Sequence, residues 1–148
     1  MAHDPIPTRF FALVVVRRAD RFLVVRETKH GGCWYLPAGR AEPGETLIEA
    51  AHRETLEEAG MPIVLEGLLK LLHTPYPDSA RVHAVFLARP AADVPPKSRP
   101  DEHSQEARWV TLDEVRQLPL RSADLADLFA WVAEGAAVYP LDLLGRAR

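Results

Sequence analysis

Apolar residues along this chain follow two periods, one typical of β-strands and one typical of α-helices. Short runs of β-branched and aromatic residues predict strands at residues 10–16, 22–25, 34–36, 66–73, 81–88 and 108–110. Residues 18–21 form a short turn into the second strand, so we expect a hairpin there. The leucine-rich segment 66–73 is also compatible with a helix, because periodicity does not distinguish the two in so short a run.

Clear start and stop signals predict a helix at residues 47–59. Thr46 and Glu49 form a capping box, in which each side chain satisfies a free N–H group of the first helical turn. Gly60 and Pro62 end the helix, since glycine accepts the left-handed cap conformation and proline cannot continue a helix.

Two more helices are predicted near the end of the chain, and a proline-rich loop precedes them. The loop covers residues 91–100. A short helix at 111–118 begins with a second capping box, and a last helix at 123–134 is predicted to be capped by Ser122. The predicted fold class is therefore α/β (α+β), with a mixed β-sheet between helices.

Carboxylates dominate one face of the helix predicted at 47–59. At about 100° per residue, three glutamates share that face, namely Glu54, Glu57 and Glu58. The opposite face is predicted to pack on the sheet through Ile48, Thr55, Leu56 and Ala59. Ala50 and Ala51 lie beside the acidic face and leave room for a hydrated ion. Clustered carboxylates repel one another, and the hard cations Mg²⁺ or Mn²⁺ would turn that repulsion into coordination.

Composition excludes several other classes of protein. With 148 residues, of which 47% are hydrophobic, the chain is predicted to form a single domain at residues 1–148. A net charge of −3 argues against a duplex nucleic acid partner. The single cysteine, Cys33, excludes an internal disulfide and, with no secretory signal, predicts a cytoplasmic location. No apolar run is long enough to span a membrane, and we expect a monomer or a homodimer.

The segment from Gly39 to Met61 resembles the Nudix box, Gly-x5-Glu-x7-Arg-Glu-U-x-Glu-Glu-x-Gly-U, where U is a bulky aliphatic residue. The matching residues are Gly39, Glu45, Arg53, Glu54, Glu57, Glu58 and Gly60, while Thr55 departs from the first U position. The resemblance implies the Nudix fold, an α/β/α sandwich, and metal-dependent hydrolysis of a diphosphate in a small phosphorylated substrate.

The same resemblance implies a role for each residue of the motif. Gly39 is expected to bind the metal through its carbonyl, together with Glu54 and Glu58. Glu57 is either a third ligand or the general base. The catalytic residues that the resemblance implies are Glu57, Glu54 and Arg53. Arg53 is expected to orient the neighbouring carboxylates. Glu45 is expected to support the loop at residues 39–45 or to bind a second ion through water.

Signals outside the box are weaker. Glu102, Gln105 and Glu106 precede Trp109 in a region where many Nudix proteins supply one more acid. Basic side chains that could contact substrate phosphates are Lys29, His30, Arg40, Arg81 and His83. Aromatic side chains that could stack on a base are Trp34, Tyr35 and Tyr76.

Flanking segments resemble the bacterial NudJ-type phosphatases within the Nudix family. These segments are His-Gly-Gly-Cys-Trp-Tyr-Leu-Pro-Ala-Gly, Ala-Arg-Trp-Val, Leu-Arg-Ser and the closing Tyr-Pro-Leu-Asp-Leu-Leu-Gly. This resemblance implies nucleoside di- and triphosphates, or hydroxymethylpyrimidine pyrophosphate, as substrates. One alternative is ADP-ribose cleavage, for which Pro75 and Pro77 are a weak signal. The other is a non-catalytic nucleotide-binding regulator, against which the complete set of carboxylates argues.

Overall fold

The computed structural model describes residues 3–145 and shows the predicted alternation of strands and helices. Its strands are β1 (Thr8–Arg18), β2 (Arg21–Arg26), β3 (Trp34–Tyr35), β4 (Ala38–Arg40), β5 (Ile63–Pro75), β6 (Ala80–Pro90) and β7 (Glu106–Val110). Its α-helices are α1 (Leu47–Ala59), α2 (Leu112–Val115) and α3 (Asp124–Ala133). Two 3₁₀ turns cover His30–Gly32 and Leu141–Leu143. The side chain of His30, predicted as a phosphate contact, lies outside the described residues. So do Met1 and Ala2, which begin the segment predicted to lack a secretory signal.

The strands form a mixed sheet with β1 near its centre. β1 pairs in parallel with β6, and β6 pairs antiparallel with β5. On its other side β1 pairs antiparallel with β4 and forms the predicted hairpin with β2, which also pairs with β3 and β7. The leucine-rich segment 66–73 is therefore part of a strand, β5.

Helices cover both faces of this sheet. Alternate side chains of a strand point to opposite faces, and the buried residues of β1 accordingly divide between two cores. Val14 and Val16 belong to a core with α1, whereas Leu13 and Val15 belong to a core with α2 and α3. The predicted α/β/α sandwich with a mixed sheet is confirmed. Among residues 3–145, no helix has the length and apolar composition required to span a membrane.

Helix α1 has the predicted bounds because its end signals act locally. Thr46 accepts a hydrogen bond from the N–H of Glu49, and the Glu49 side chain accepts from the N–H of Thr46, which completes the capping box. Gly60 has φ 64° and closes the helix in the left-handed conformation that a glycine adopts without strain.

The predicted packing face of α1 was partly wrong. Leu56 was expected to face the sheet, but it is 56% exposed. Ala50 and Ala51 were expected to border the ion, but both are fully buried in the core. These small residues, with Thr55 at the next turn, form the stripe that contacts the sheet, so the helix lies close to it. The Thr55 hydroxyl donates to the carbonyl of Ala51 at 2.8 Å, which satisfies the one polar group on that stripe.

Other differences are found at short elements. Gly39 was predicted to lie in a loop but belongs to β4, whose three residues pair with β1. Ser122 was predicted to cap the last helix; instead α3 begins at Asp124, and its N-cap Ala123 makes no side-chain hydrogen bond. The helix predicted at 111–118 is shorter, at Leu112–Val115. Such elements depend on pairing and packing rather than on a local signal.

Candidate active site

Arg53 is the centre of a network of charged side chains on the exposed side of α1. Its guanidinium forms two hydrogen bonds with Glu45, from Nε at 2.7 Å and from Nη2 at 2.9 Å. Nη1 donates to Glu54 at 2.8 Å and to Glu57 at 3.2 Å. Hydrogen bonding with Glu45 raises the pKa of Arg53 and lowers that of Glu45, so both groups remain charged. The network fixes the orientation of carboxylates on two successive turns of the helix.

Glu54 and Glu58 point into a cavity between α1, β3 and the segment that follows β2. The cavity has a volume of about 240 Å³ and is lined by Glu27, Thr28, Lys29, Tyr35, Leu36, Ala38, Glu54, Glu58, Glu102, His103 and Arg121. The N–H of Ala38 donates to the Glu58 carboxylate at 3.2 Å. Burial raises the pKa of Glu54, and burial together with the neighbouring Glu54 raises the pKa of Glu58 to about 9. Without a cation, the adjacent buried carboxylates therefore favour retention of a proton by the pair at neutral pH.

Gly39 brings the main chain of β4 directly against Glu54. A Cβ atom at position 39 would overlap the Glu54 carboxylate, so a larger residue would displace that side chain. Glycine is required here for close approach rather than for a positive φ, since Gly39 is not among the glycines with positive φ. The β4 main chain thus lies beside both Glu54 and Glu58.

The donor set suits a hard divalent cation, with Gly39, Glu54, Glu57 and Glu58 as the predicted ligands. Two partly buried carboxylates that share a proton form a site where a cation can replace that proton. In the described part of the chain, no three acidic, histidine or cysteine side chains converge on one point. The reason is that Glu57 and Glu54 are held by Arg53, while Glu58 is held by Ala38. Binding by all the predicted ligands therefore requires rotation of glutamate side chains, but the fit in chemistry and placement is good.

His103 joins the site although sequence reasoning missed it. Its Nδ1 lies 3.6 Å from a carboxylate oxygen of Glu57, and its Nε2 lies 3.5 Å from Glu102. Of the three polar residues considered before Trp109, only Glu102 lines the cavity. Gln105 bonds to the carbonyl of Glu27, and Glu106 interacts with arginines outside the cavity. The position of His103 beside Glu102 was the only sequence signal that could have identified it.

The cations at the cavity are Lys29, which was considered from the sequence, and Arg121, which was not. Arg121 pairs with Glu27 at 3.3 Å and lies over the Tyr35 ring, 5.3 Å from its centroid. Arg121 and Tyr35 also line an adjoining cavity of about 240 Å³ with Arg81 and His83. Arg121 lies in the Leu-Arg-Ser segment, so its sequence signal was that flanking resemblance.

The remaining predicted substrate contacts are dispersed. Arg40 is exposed and lines a separate surface cavity with Glu42 and Glu45. Tyr76 is 45% exposed and lies under the guanidinium of Arg81, away from the acidic cavity. Trp34 is only 4% exposed and belongs to the core with α3, so its ring is not accessible for stacking on a base. The aromatic side chain at the cavity is Tyr35 instead.

Comparisons with known proteins agree with this geometry. A family model described as NUDIX domain matches residues 7–132. Phosphatase NudJ of Escherichia coli K12 is 33% identical over 133 residues, which are 88% of this chain and 86% of NudJ. Human NUDT18, an 8-oxo-dGDP phosphatase, is 38% identical over 124 residues, which are 82% of this chain. That match covers 37% of NUDT18, so this chain spans about two fifths of the human relative's length.

A solved structure of similar shape is the NUDIX hydrolase from Nitrosomonas europaea, with a TM-score of 0.78 and 27% identity. The similarity covers 95% of this chain and 97% of that one. The resemblance to NudJ-type phosphatases is confirmed, whereas the single domain at 1–148 stays a prediction. Because the family model covers most of the chain and NudJ is similar over nearly its whole length, the chain belongs to the Nudix family of hydrolases.

Proposed function

We propose that this protein hydrolyses a phosphoanhydride bond in a nucleoside di- or triphosphate or in a related organic pyrophosphate, such as hydroxymethylpyrimidine pyrophosphate. The proposed cofactor is Mg²⁺ or Mn²⁺. The observation that carries the proposal is the buried Glu54–Glu58 pair beside the β4 main chain, in a cavity that also contains Lys29 and Arg121. Carboxylates without a cation would repel a phosphate chain, whereas carboxylates that hold a cation beside basic side chains attract it.

Each residue of the network has a proposed role in this reaction. Glu54 and Glu58 hold the cation with the main chain at Gly39. When bound, a divalent cation neutralises phosphate oxygens and makes a nearby water more acidic. Glu57 serves either as a third ligand or as the acceptor of the proton from the attacking water. Arg53 is a positioning residue, which with Glu45 keeps these carboxylates in their orientation.

The substrate class is supported by the relative that resembles this chain over nearly its whole length. NudJ is named a phosphatase, and NUDT18 is named an 8-oxo-dGDP phosphatase. Both names describe removal of phosphate. The base or pyrimidine is proposed to lie near Tyr35 and the cavity that adjoins it. Tyr35 offers an aromatic face there, beside the polar side chains of Arg81, His83, Arg121 and Ser122.

Phosphate release from a substrate panel, with Mg²⁺ or with EDTA, tests the proposal. The panel contains the common nucleoside di- and triphosphates, 8-oxo-dGDP, hydroxymethylpyrimidine pyrophosphate and ADP-ribose. We expect metal-dependent release from several di- and triphosphates, and a loss of several orders of magnitude in Glu58→Gln. Glu134→Gln, the same chemical change at an exposed position beyond α3, serves as the control and should retain full activity.

Two results would contradict the proposal. Full activity in EDTA, or in Glu58→Gln, would mean that the acidic face does not hold a catalytic cation. No release from any compound would favour the alternative of a non-catalytic nucleotide-binding regulator. ADP-ribose stays on the panel because the sequence offered it as an alternative. A structural neighbour solved as an ADP-ribose pyrophosphatase from Streptococcus suis is only 18% identical, so it supports the fold alone.

We also propose a cellular location and an assembly state for this protein. A cytoplasmic location is supported by the one cysteine, Cys33, which is free. A monomer or a homodimer is proposed as the assembly state, and light scattering of the purified protein after size-exclusion chromatography would distinguish them. Duplex nucleic acid is not proposed as a partner, because the net charge is −3.

A further inference from the structure

The C-terminal end of α1, which carries two of the predicted metal ligands, is held by a distant loop. The last carbonyls of an α-helix have no partner inside the helix. Here each of the last four has one. The carbonyl of Leu56 accepts from the N–H of Gly60, and the remaining three accept from the loop before β7.

Lys97 provides two of those three hydrogen bonds. Its backbone N–H donates to the carbonyl of Ala59 at 2.8 Å, and its ammonium donates to the carbonyl of Glu57. The Lys97 side chain is only 10% exposed, and the last turn of α1 contains no basic residue of its own. The Lys97 ammonium thus supplies the positive charge that stabilises a helix C-terminus.

Ser104 provides the third hydrogen bond and links it to Lys97. Its hydroxyl is fully buried, donates to the carbonyl of Glu58 and accepts from the Lys97 ammonium at 3.0 Å. The carbonyls of Glu57 and Glu58 therefore share one connected network. These are the residues whose carboxylates are predicted to bind the cation.

Asp101 connects the same network to the residues that face the cavity. Its carboxylate pairs with Lys97 at 2.7 Å and accepts from the backbone N–H groups of His103 and Ser104. These bonds shape the turn at residues 101–104, which presents Glu102 and His103 to the acidic face. The turn and the helix end are thus positioned by one set of side chains.

We propose that Lys97, Asp101 and Ser104 form a clamp that sets the position of Glu57 and Glu58 relative to Glu102 and His103. The clamp acts on metal binding through the backbone of α1, and its three members are positioning residues that touch neither cation nor substrate. This inference rests on the proposed function, because it concerns the same site. It also identifies residues outside the Nudix box: the side chains of Lys97 and Ser104 bind carbonyls that are 40 and 46 positions away in the chain.

The test measures Mn²⁺ affinity separately from stability. Lys97→Met removes the ammonium but keeps most of the side chain's length, and Ser104→Ala removes only the hydroxyl. Mn²⁺ affinity is measured by electron paramagnetic resonance and by the rise in Tm with Mn²⁺ concentration. Loss of groups that orient metal ligands typically lowers metal affinity by about ten- to a hundredfold, and we expect a decrease of that size in Lys97→Met.

A matched control distinguishes positioning from general destabilisation. Val132→Ala creates a cavity in α3, on the opposite face of the sheet, and should lower Tm without changing Mn²⁺ affinity. Asp101→Asn keeps an acceptor oxygen for the turn, so it should bind Mn²⁺ more tightly than Asp101→Ala does.

The clamp is refuted if Lys97→Met and Ser104→Ala lower Tm as Val132→Ala does but bind Mn²⁺ as tightly as the unchanged protein. If Lys97→Met does not fold, Ser104→Ala still decides, because its change is small. The Mn²⁺ measurement also needs no turnover. If Mn²⁺ affinity falls in the clamp variants but the unchanged protein hydrolyses nothing, that result contradicts the proposed function and not this inference.

Discussion

Glu58→Gln is expected to stabilise the metal-free protein while it abolishes activity. Burial and the neighbouring Glu54 raise the pKa of Glu58 from 4.5 to about 9. In the folded protein Glu58 therefore keeps its proton over a range of pH in which the unfolded chain has lost it. The folded state binds more protons than the unfolded state there, so stability falls as pH rises from the unfolded pKa to the folded pKa.

The size of the effect follows from the width of that window. One retained proton changes the free energy of unfolding by about 1.4 kcal/mol per pH unit. Between pH 6.5 and 8.5 the metal-free protein should lose on the order of 2–3 kcal/mol through Glu58. For a protein of this size, that loss corresponds to a fall in Tm of roughly 4–12 °C. Glutamine resembles the protonated acid and does not titrate, so the variant should lack this decrease.

Thermal unfolding in EDTA, recorded across this pH range, gives the measurement. Glu57→Gln is the matched control, because Glu57 lies on the same face of α1 but is more exposed, at 32%. Its Tm should decrease with pH as in the unchanged protein. Mg²⁺ or Mn²⁺ added at pH 8.5 should raise the Tm of the unchanged protein more than that of Glu58→Gln. Parallel pH profiles for the unchanged protein and Glu58→Gln would refute the reasoning.

Four further predictions concern the site and its substrates. Gly39→Ala should lower Mn²⁺ affinity by about ten- to a hundredfold, because the added Cβ displaces Glu54; unchanged Mn²⁺ binding by electron paramagnetic resonance would contradict this. Arg53→Lys should lower kcat by about ten- to a hundredfold with unchanged circular dichroism, since lysine cannot form both bonds to Glu45; a normal kcat would rule out the positioning role. Di- and triphosphates of different bases should differ in kcat/KM by less than about a hundredfold, and a preference of about a thousandfold for one would oppose this. Reaction in ¹⁸O-labelled water should place the label on a phosphate product, and label on a carbon-bound oxygen would show a different bond cleavage.

The acidic helix and the alternation of elements were predictable because their signals act over short distances. Thr46, Glu49 and Gly60 determine the ends of α1 within one turn at each end. Helical geometry then places Glu54, Glu57 and Glu58 on one side, whatever the helix packs against. The same locality explains why most strands were predicted from their apolar runs, although the long strands β1, β5 and β6 extend beyond the predicted ends and β4 was missed.

The sequence pattern predicted burial incorrectly where packing depends on more than one element. Leu56 appeared to belong to the buried face because it is apolar, yet it is exposed while Ala50 and Ala51 are buried. A close approach of helix and sheet favours small residues, and one helix considered alone does not reveal that distance. Trp34 was predicted to be able to stack on a base, but it is buried in the core that includes residues of α3.

The sequence by itself determined the family, the helix α1 and the carboxylates on its acidic face. Only the tertiary structure decided which other residues meet them. Lys97 and Ser104 reach the end of α1, and His103 reaches the cavity, because β7 pairs with β2 and carries its preceding loop to the helix. Arg121 reaches the cavity because its N–H donates to the carbonyl of Trp34 in β3. No periodicity or capping signal encodes these contacts, since they join segments far apart in the chain and form only once the sheet has its register.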